Sequence, residues 1–352
     1  MKSFSLEHVW EITQHRKPDF ENLKAVLQKK RPSRPTLFEF FLNDPLEQKL
    51  AGWENAPAGE LEYFHCKIDA FTRAGYDYTT IQASDFYFEH ENNDHGKASI
   101  SSNEGCVITD WDGYYHYSWM DPLEVYNGRI ERIEPFLPEG MKFIVCGPSG
   151  VLENVTALVG YQNLCYLLMD DPKLVETVFD QVGQRLLDYY KRIIHYDSVG
   201  AIVSNDDWGF NTQTMLPTAD MRKYIFKWHQ KITDLAHQAG KPVILHSCGN
   251  LETVWEDIID KMKFDAKHSY EDNICPVETM YQRLKGRIAV LGGIDMDFVC
   301  RSTQEQIYKR CSEMAKMTQY EGYALGTGNS IPSYLPDDNY LAMILAVLDP
   351  ME

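Results

Sequence analysis

The sequence lacks long hydrophobic runs, and this absence argues against a membrane-spanning helix. No stretch approaches the roughly 18 consecutive apolar residues that a membrane-spanning helix requires. Residues 1–20 also lack the apolar core of a secretory signal peptide. We therefore expect a cytoplasmic protein that has no membrane partner.

Positive charge is also scarce. Lysine and arginine number 34 against 52 aspartates and glutamates, which gives a formal net charge of −18. Nucleic-acid binding requires a positive surface that neutralises phosphates, so we expect no nucleic-acid partner. The hydrophobic fraction of 44% and the charged fraction of 24% are typical of a globular protein. A small-molecule substrate is the expectation that remains.

The cysteines lack the spacing of a disulfide framework or of a Cys-x-x-Cys motif. There are eight in a chain of 352 residues. Without export signals, they are expected to be reduced thiols, several of them ordinary core residues.

A repeated pattern of short apolar runs, polar tips and helix-like segments predicts the fold. Eight runs are strand-like: 36–41, 77–82, 142–146, 201–204, 242–246, 265–269, 288–293 and 323–328. Helix-like segments between them include Thr218–Gly240 and Thr303–Thr318. Eight alternating strands and helices predict an α/β protein with a (β/α)8 TIM barrel. The competing fold is an open doubly wound sheet, but no glycine-rich phosphate turn follows the first run.

No linker divides the chain, so residues 1–352 are expected to form a single domain. Residues 1–34 are predicted to be an N-terminal helical extension. Residues 84–135, between strands 2 and 3, are too long for a βα loop. They are rich in Tyr, Trp and Asp, and we expect an excursion or a small hairpin over the barrel mouth.

Active sites of such barrels lie at the C-terminal ends of the strands. Strand 5 is followed by His246 and Cys248, whose side chains at i and i+2 of an extended segment point to the same side. Imidazole and thiolate ligands suit Zn²⁺, and a catalytic zinc needs a third protein ligand. Glu271 is one βα unit further along, and the remaining candidates are His268, Cys275 and Asp295. The alternative is a packed histidine beside a buried thiol.

Strand 4 ends in two adjacent aspartates, Asp206 and Asp207. They could cap the following helix. Because neighbouring side chains of an extended segment point in opposite directions, at least one of them is expected to face the site.

Four segments carry a family resemblance: "KPVILHSCGNLETVWEDIID", "DAKHSYED", "RIAVLGGIDMDFV" and "GTGNSIPSYLPDDNYLAMI". They resemble the uroporphyrinogen decarboxylase superfamily, most strongly over residues 199–348. That superfamily contains the decarboxylases and the zinc-dependent methyltransferases that move methyl groups between corrinoid proteins and thiols or other acceptors. The resemblance implies a (β/α)8 barrel, which agrees with the strand count.

The resemblance favours the methyltransferase branch. Decarboxylases carry an arginine-rich motif after strand 1, whereas this chain has no arginine between Arg34 and Arg73 and places Glu39 there. Ser84-Asp85 does resemble the decarboxylases, so uroporphyrinogen decarboxylase remains an alternative. The methyltransferases have His-x-Cys after strand 5 and usually a third cysteine ligand after strand 8. This chain has Thr327 at that position, and Glu271 is a substitute by analogy with cobalamin-independent methionine synthases.

The expected function is therefore a zinc-dependent methyl transfer between a corrinoid on a partner protein and a small acceptor. His246, Cys248 and Glu271 would hold Zn²⁺, and Asp206 or Asp207 would accept a proton or orient the substrate. Asn329 would donate hydrogen bonds, and Glu39 and Asp85 complete the catalytic candidates. A non-catalytic barrel that binds a small molecule is the alternative from another class.

Overall fold

The structure, a computed structural model, describes residues 4–90 and 106–350. Its sheet has seven parallel strands that pair in chain order. They are β1 Tyr78–Gln82, β2 Lys142–Cys146, β3 Val199–Asn205, β4 Val243–His246, β5 Ala266–His268, β6 Ala289–Leu291 and β7 Tyr323–Ala324. Most strand side chains are buried, because both faces of a parallel sheet are covered. Double burial is why the strands appear in the sequence as short apolar runs.

Helices connect and precede these strands. Before β2 lie α1 Leu6–Thr13, α2 Phe20–Leu27, α3 Asp44–Ala51, α4 Glu60–Arg73, α5 Trp111–His116, α6 Pro122–Val125 and α7 Arg129–Ile133. After β2 follow α8 Val151–Val159, α9 Tyr161–Asp170, α10 Pro172–Ile193, α11 Thr218–Asp220, α12 Lys227–Gln238, α13 Val277–Leu284, α14 Met296–Arg301, α15 Gln304–Thr318 and α16 Asp337–Leu348. Short π-helical segments at Met221–Phe226 and Asp257–Lys261 and 3₁₀ turns at Glu134–Phe136 and Glu252–Val254 complete the set in the described ranges.

The predicted helices begin where their caps are. The Thr303 side chain accepts a hydrogen bond from the Gln306 amide, and the Gln306 side chain accepts one from the Thr303 amide, a capping box that starts α15. The predicted helix over 218–240 is present as α11, a π-helical turn and α12. Local sequence therefore defined these boundaries well.

The predicted first strand, 36–41, departs from the expected closed barrel. It pairs through one isolated bridge, from Leu37 to Leu325, the residue that follows β7, and its contacts with β1 go through side chains. The Tyr78 hydroxyl bonds both the amide and the carbonyl of Glu39, each at 2.7 Å, and the Thr80 hydroxyl donates to the Phe40 carbonyl at 2.5 Å. Because side chains take the backbone groups that a ladder with β1 would use, the described strands form a curled seven-stranded sheet. The prediction of eight paired strands was wrong in this respect.

The segment predicted as an excursion is helical in its described parts. Residues 84–90 and 106–135 contain α5, α6 and α7 and no strand, so the hairpin expectation is not met there. Residues 91–105 of that prediction lie outside the described residues. Within the part of the chain that the structure describes, no helix combines the length and apolarity needed to cross a membrane.

Candidate metal site at the strand ends

Three side chains with different donor atoms meet beyond the ends of β3 and β4. His246 is the last residue of β4, Cys248 follows two residues later, and Asp207 lies two residues past the end of β3. One ligand atom from each lies within 4.8 Å of the other two. A carboxylate oxygen, an imidazole nitrogen and a sulfur form a donor set that suits Zn²⁺.

The orientation of the His246 ring follows from a chain of hydrogen bonds. His246 Nδ1 lies 2.8 Å from His268 Nδ1, and His268 Nε2 lies 3.1 Å from the Thr327 carbonyl oxygen. A carbonyl only accepts, so His268 donates from Nε2 and accepts at Nδ1. His246 must then donate from Nδ1, which leaves the lone pair of its Nε2 available on the side of Cys248 Sγ, 3.9 Å away.

This arrangement requires both rings to be neutral. Burial lowers the pKa of His268 to about 3, and burial together with the neighbouring His268 lowers the pKa of His246 well below its ordinary value. The Phe40 ring stacks on His246 with centroids 4.4 Å apart and excludes water from that face. A neutral imidazole with a directed lone pair is the form that binds a metal.

The Cys248 sulfur accepts two weak hydrogen bonds. Ser269 Oγ donates to it at 3.3 Å and Asn329 Nδ2 at 3.5 Å. Burial, reinforced by the Asp207 carboxylate, raises the pKa of the Cys248 thiol to about 12. The sulfur is therefore a thiol unless a cation lies beside it, and the two donors would then stabilise the thiolate.

A tight turn at Gly249 positions the Cys248 side chain. Gly249 has φ +84°, and an added Cβ would lie 2.0 Å from the Gly209 carbonyl oxygen. Glu271 Oε1 accepts a hydrogen bond from the Gly249 amide at 3.1 Å. Ser269, which contacts the sulfur, has the unusual φ of +81° for a residue with a side chain. Backbone strain of this kind is common at functional sites.

The two adjacent aspartates have different roles. Asp206 is fully buried, and its carboxylate accepts from the amides of Leu152 and Glu153 and from the ring nitrogens of Trp208 and His229, all between 2.8 and 3.0 Å. It anchors the start of α8 and is not near the open side of the site. Asp207 Oδ1 accepts from the Cys248 amide at 2.8 Å, and burial raises the pKa of this carboxyl.

Glu39 lies deep under the strand ends. Its carboxyl accepts from the Thr327 amide at 2.8 Å and lies 2.6 Å from the Thr327 hydroxyl, which is also 2.5 Å from the Asn329 carbonyl. One hydroxyl proton cannot serve two acceptors, so a protonated Glu39 that donates to Thr327 satisfies all three groups. Burial raises the pKa of Glu39 to about 8, which agrees with the protonated form.

Asp85 pairs with Arg129, which lies beyond the segment in which decarboxylases carry their arginine-rich motif. Its exposed carboxylate bonds Arg129 Nη2, and Arg129 Nε donates to Glu60 at 2.7 Å. Arg129 is buried, and its Nη1 donates to the Gln82 carbonyl at the end of β1. Asp85 therefore belongs to an ion-pair network with Arg129 and Glu60, and this network does not contain Asp207, His246 or Cys248.

The remaining candidates His268 and Asp295 bond to other parts of the protein. His268 acts in the hydrogen-bond chain behind His246, while Asp295 caps α14 by accepting from the Phe298 amide at 3.0 Å. Sequence reasoning missed two residues that border the site, Phe40 and Lys267. A lysine inside the short run "DAKHS" is an unusual residue for a buried strand and could have signalled the second of them.

The fold and the site together are those of a parallel α/β protein with three side chains that could hold a metal ion at the C-terminal edge of its sheet. The chain belongs to the uroporphyrinogen decarboxylase (URO-D) family, whose sequence model matches residues 144–349, more than half of the 352 residues. No curated protein sequence matches the chain significantly.

Solved structures add evidence on the fold. A methyltransferase from Methanosarcina mazei has 14% sequence identity and a TM-score of 0.68, and the alignment covers 92% of this chain and 96% of that one. At this identity the likeness shows the fold alone. A protein described as a vitamin-B12-independent methionine synthase from Listeria monocytogenes aligns over 90% of this chain and 98% of that one, at 12% identity. Its TM-score of 0.45 is too low to carry an argument.

Proposed function

We propose that this protein is a zinc-dependent methyltransferase that moves a methyl group between a corrinoid on a partner protein and a thiol or another small acceptor. The observation that supports it best is the meeting of Asp207, His246 and Cys248 ligand atoms within 4.8 Å. The neighbour from Methanosarcina mazei is described as a methyltransferase, and the proposal extends that activity to this chain.

The residues present fit a zinc ion. His246 offers a neutral Nε2, Cys248 offers a sulfur with two hydrogen-bond donors, and Asp207 keeps one oxygen beyond the one that the Cys248 amide occupies. Zinc bound there would lower the pKa of a thiol acceptor so that it is an anionic nucleophile at neutral pH. The side chains around the zinc ion would position the metal and the acceptor.

The third ligand is proposed to be Asp207 in preference to Glu271. The ligand atoms of Asp207 lie close to those of His246 and Cys248. Glu271 is outside this set and accepts a hydrogen bond from the Gly249 amide. Glu271 would then hold the turn that positions Cys248. The earlier expectation of Glu271 as the ligand stays a prediction that the same experiment tests.

Other side chains would prepare the site for an anionic acceptor. Asn329 and Ser269 donate to Cys248 Sγ and would reduce the charge that its thiolate presents to the acceptor. Asp207 and the protonated Glu39 differ in solvent access, since only Asp207 is partly exposed. With one oxygen on the Cys248 amide and the other on zinc, Asp207 would orient the acceptor through the metal, and the proton of the acceptor would pass to solvent.

A matched pair of variants tests the metal site. Elemental analysis of protein purified without chelator should find about one zinc per chain. Asp207→Asn should weaken zinc binding by roughly tenfold or more, whereas Glu271→Gln, which removes the same charge at the same volume, should retain most of the metal. Wild-type protein that takes up no added zinc would refute the site. If Glu271→Gln lost zinc and Asp207→Asn kept it, Glu271 would be the third ligand.

Activity is tested with methylcobalamin and 2-mercaptoethanol. Mass spectrometry of the S-methylated product should show turnover that depends on Cys248 and is absent in Cys248→Ser. Zinc binding without any methyl transfer to a panel of thiols would refute the proposed reaction while leaving the metal site intact.

A further inference from the structure

A separate cavity of about 170 Å³ lies beside the metal-ligand set, between the loop after β4 and α13. Its walls include the large side chains of Trp255, Tyr270, Ile274 and Met280. Gly249 and Ser269, which flank or contact Cys248, form the wall toward the metal-ligand set. A space of this size holds a ligand of roughly benzene size or slightly larger.

Lys267, from the middle of β5, lines this cavity and is only 3% exposed. Its ammonium donates to the Ser269 carbonyl and lies 4.3 Å from the centroid of the Tyr270 ring. Among the described residues it forms no ion pair within 4.0 Å, and the carboxylates that act on it from further away are those of Asp207 and Glu271. A buried ammonium with three donors and no adjacent counter-ion is costly, unless a ligand supplies one.

The cavity wall also carries a negative charge, that of Glu271. Glu271 lines it and bonds the Gly249 amide through Oε1. The other two charged residues of the lining pair with each other, since Arg283 donates to both carboxylate oxygens of Glu252 at 2.7 and 2.9 Å. Lys267 and Glu271 therefore remain as unlike charges that do not form an ion pair, on a wall that is part polar and part apolar.

We propose that this cavity binds a small amino acid with an apolar side chain. Its carboxylate would pair with Lys267, its ammonium group with Glu271, and its side chain would contact Trp255 and Met280. A simple anion would leave Glu271 repelled, and a simple cation would leave Lys267 without a partner. Only a zwitterion satisfies both groups. This inference goes beyond the proposed function, because none of these contacts requires a metal.

L-Leucine is the probe, since it has an apolar side chain and no thiol that could bind zinc. Two analogues remove one charge each: 4-methylpentanoate lacks the ammonium group, and 3-methylbutylamine lacks the carboxylate. Calorimetric titration of metal-stripped protein should give leucine a dissociation constant in the millimolar range or tighter. Each analogue should bind about tenfold more weakly.

Two variants assign the charges. Lys267→Met keeps the length of the side chain and should lose the preference for leucine over 3-methylbutylamine. Glu271→Gln should lose the preference for leucine over 4-methylpentanoate. Lys241→Met is the matched control, because Lys241 donates to the Tyr196 and Val199 carbonyls and does not line the cavity.

The outcomes separate this inference from the proposed function. Leucine binding that persists in Cys248→Ser supports the cavity site whether or not zinc or methyl transfer is found. Absence of leucine binding to wild-type protein would overturn the inference. So would equal binding of leucine and 4-methylpentanoate, which would identify a site for anions only, or leucine binding that Lys267→Met leaves unchanged.

Discussion

Substituting Glu39 by glutamine should change how the stability of the protein depends on pH. The carboxyl is fully buried, and burial raises its pKa from the ordinary value of 4.5 to about 8. A folded state that holds a proton more tightly than the unfolded state loses stability as pH rises. The loss begins near the unfolded pKa and is complete above the folded pKa.

The size of the effect follows from the two pKa values. Each pKa unit corresponds to about 1.4 kcal/mol, so the contribution of Glu39 to the free energy of unfolding should fall by roughly 3 kcal/mol between about pH 5 and pH 8. Glutamine is neutral throughout and can still accept from the Thr327 amide and donate to its hydroxyl. Between pH 5 and pH 8, the free energy of unfolding of the variant should therefore fall less than that of the wild type.

Urea unfolding at several pH values measures this difference. The free energy of unfolding should fall more steeply with pH for the wild type than for Glu39→Gln. The control Glu139→Gln, at an exposed position, should show the same pH dependence as the wild type. Subtracting the variant removes the other titrating groups from the comparison. Parallel curves for wild type and Glu39→Gln would show that Glu39 is ionised in the folded protein and that the hydrogen-bond argument at Thr327 is wrong.

Two further predictions follow from the strand ends. Asp206→Asn should lower the free energy of unfolding by roughly 3 kcal/mol, because its carboxylate accepts four buried hydrogen bonds, yet it should keep zinc bound. Denaturant unfolding beside zinc analysis checks this, and metal loss without loss of stability would contradict the anchoring role. Gly249→Ala should lose both zinc affinity and thermal stability, since its Cβ would meet the Gly209 carbonyl oxygen at 2.0 Å and its φ is +84°. A variant with unchanged metal content and melting temperature would show that the turn is not required.

The sequence by itself located most of the sheet. Strands that are buried on both faces consist of short apolar runs, and runs such as 142–146 coincide with a strand as predicted. The pair His246 and Cys248 could be singled out for the same local reason, since the spacing i and i+2 and the position after a strand are both properties of adjacent residues. Family resemblance pointed to the same segment, and the URO-D match confirms the family.

Only the tertiary structure decided how distant residues combine. Local alternation predicts that Asp206 and Asp207 diverge, but the partners of Asp206 come from α8 and α12, and these determine which aspartate is the anchor. The same holds for the first predicted strand, where the side chains of Tyr78 and Thr80 occupy backbone groups that a ladder would pair. Glu39 is held by Thr327, and Lys267 lies against a cavity whose opposite wall belongs to α13. Charge, burial and hydrogen bonding at these positions depend on residues far away in the chain, and a local pattern carries no information about them.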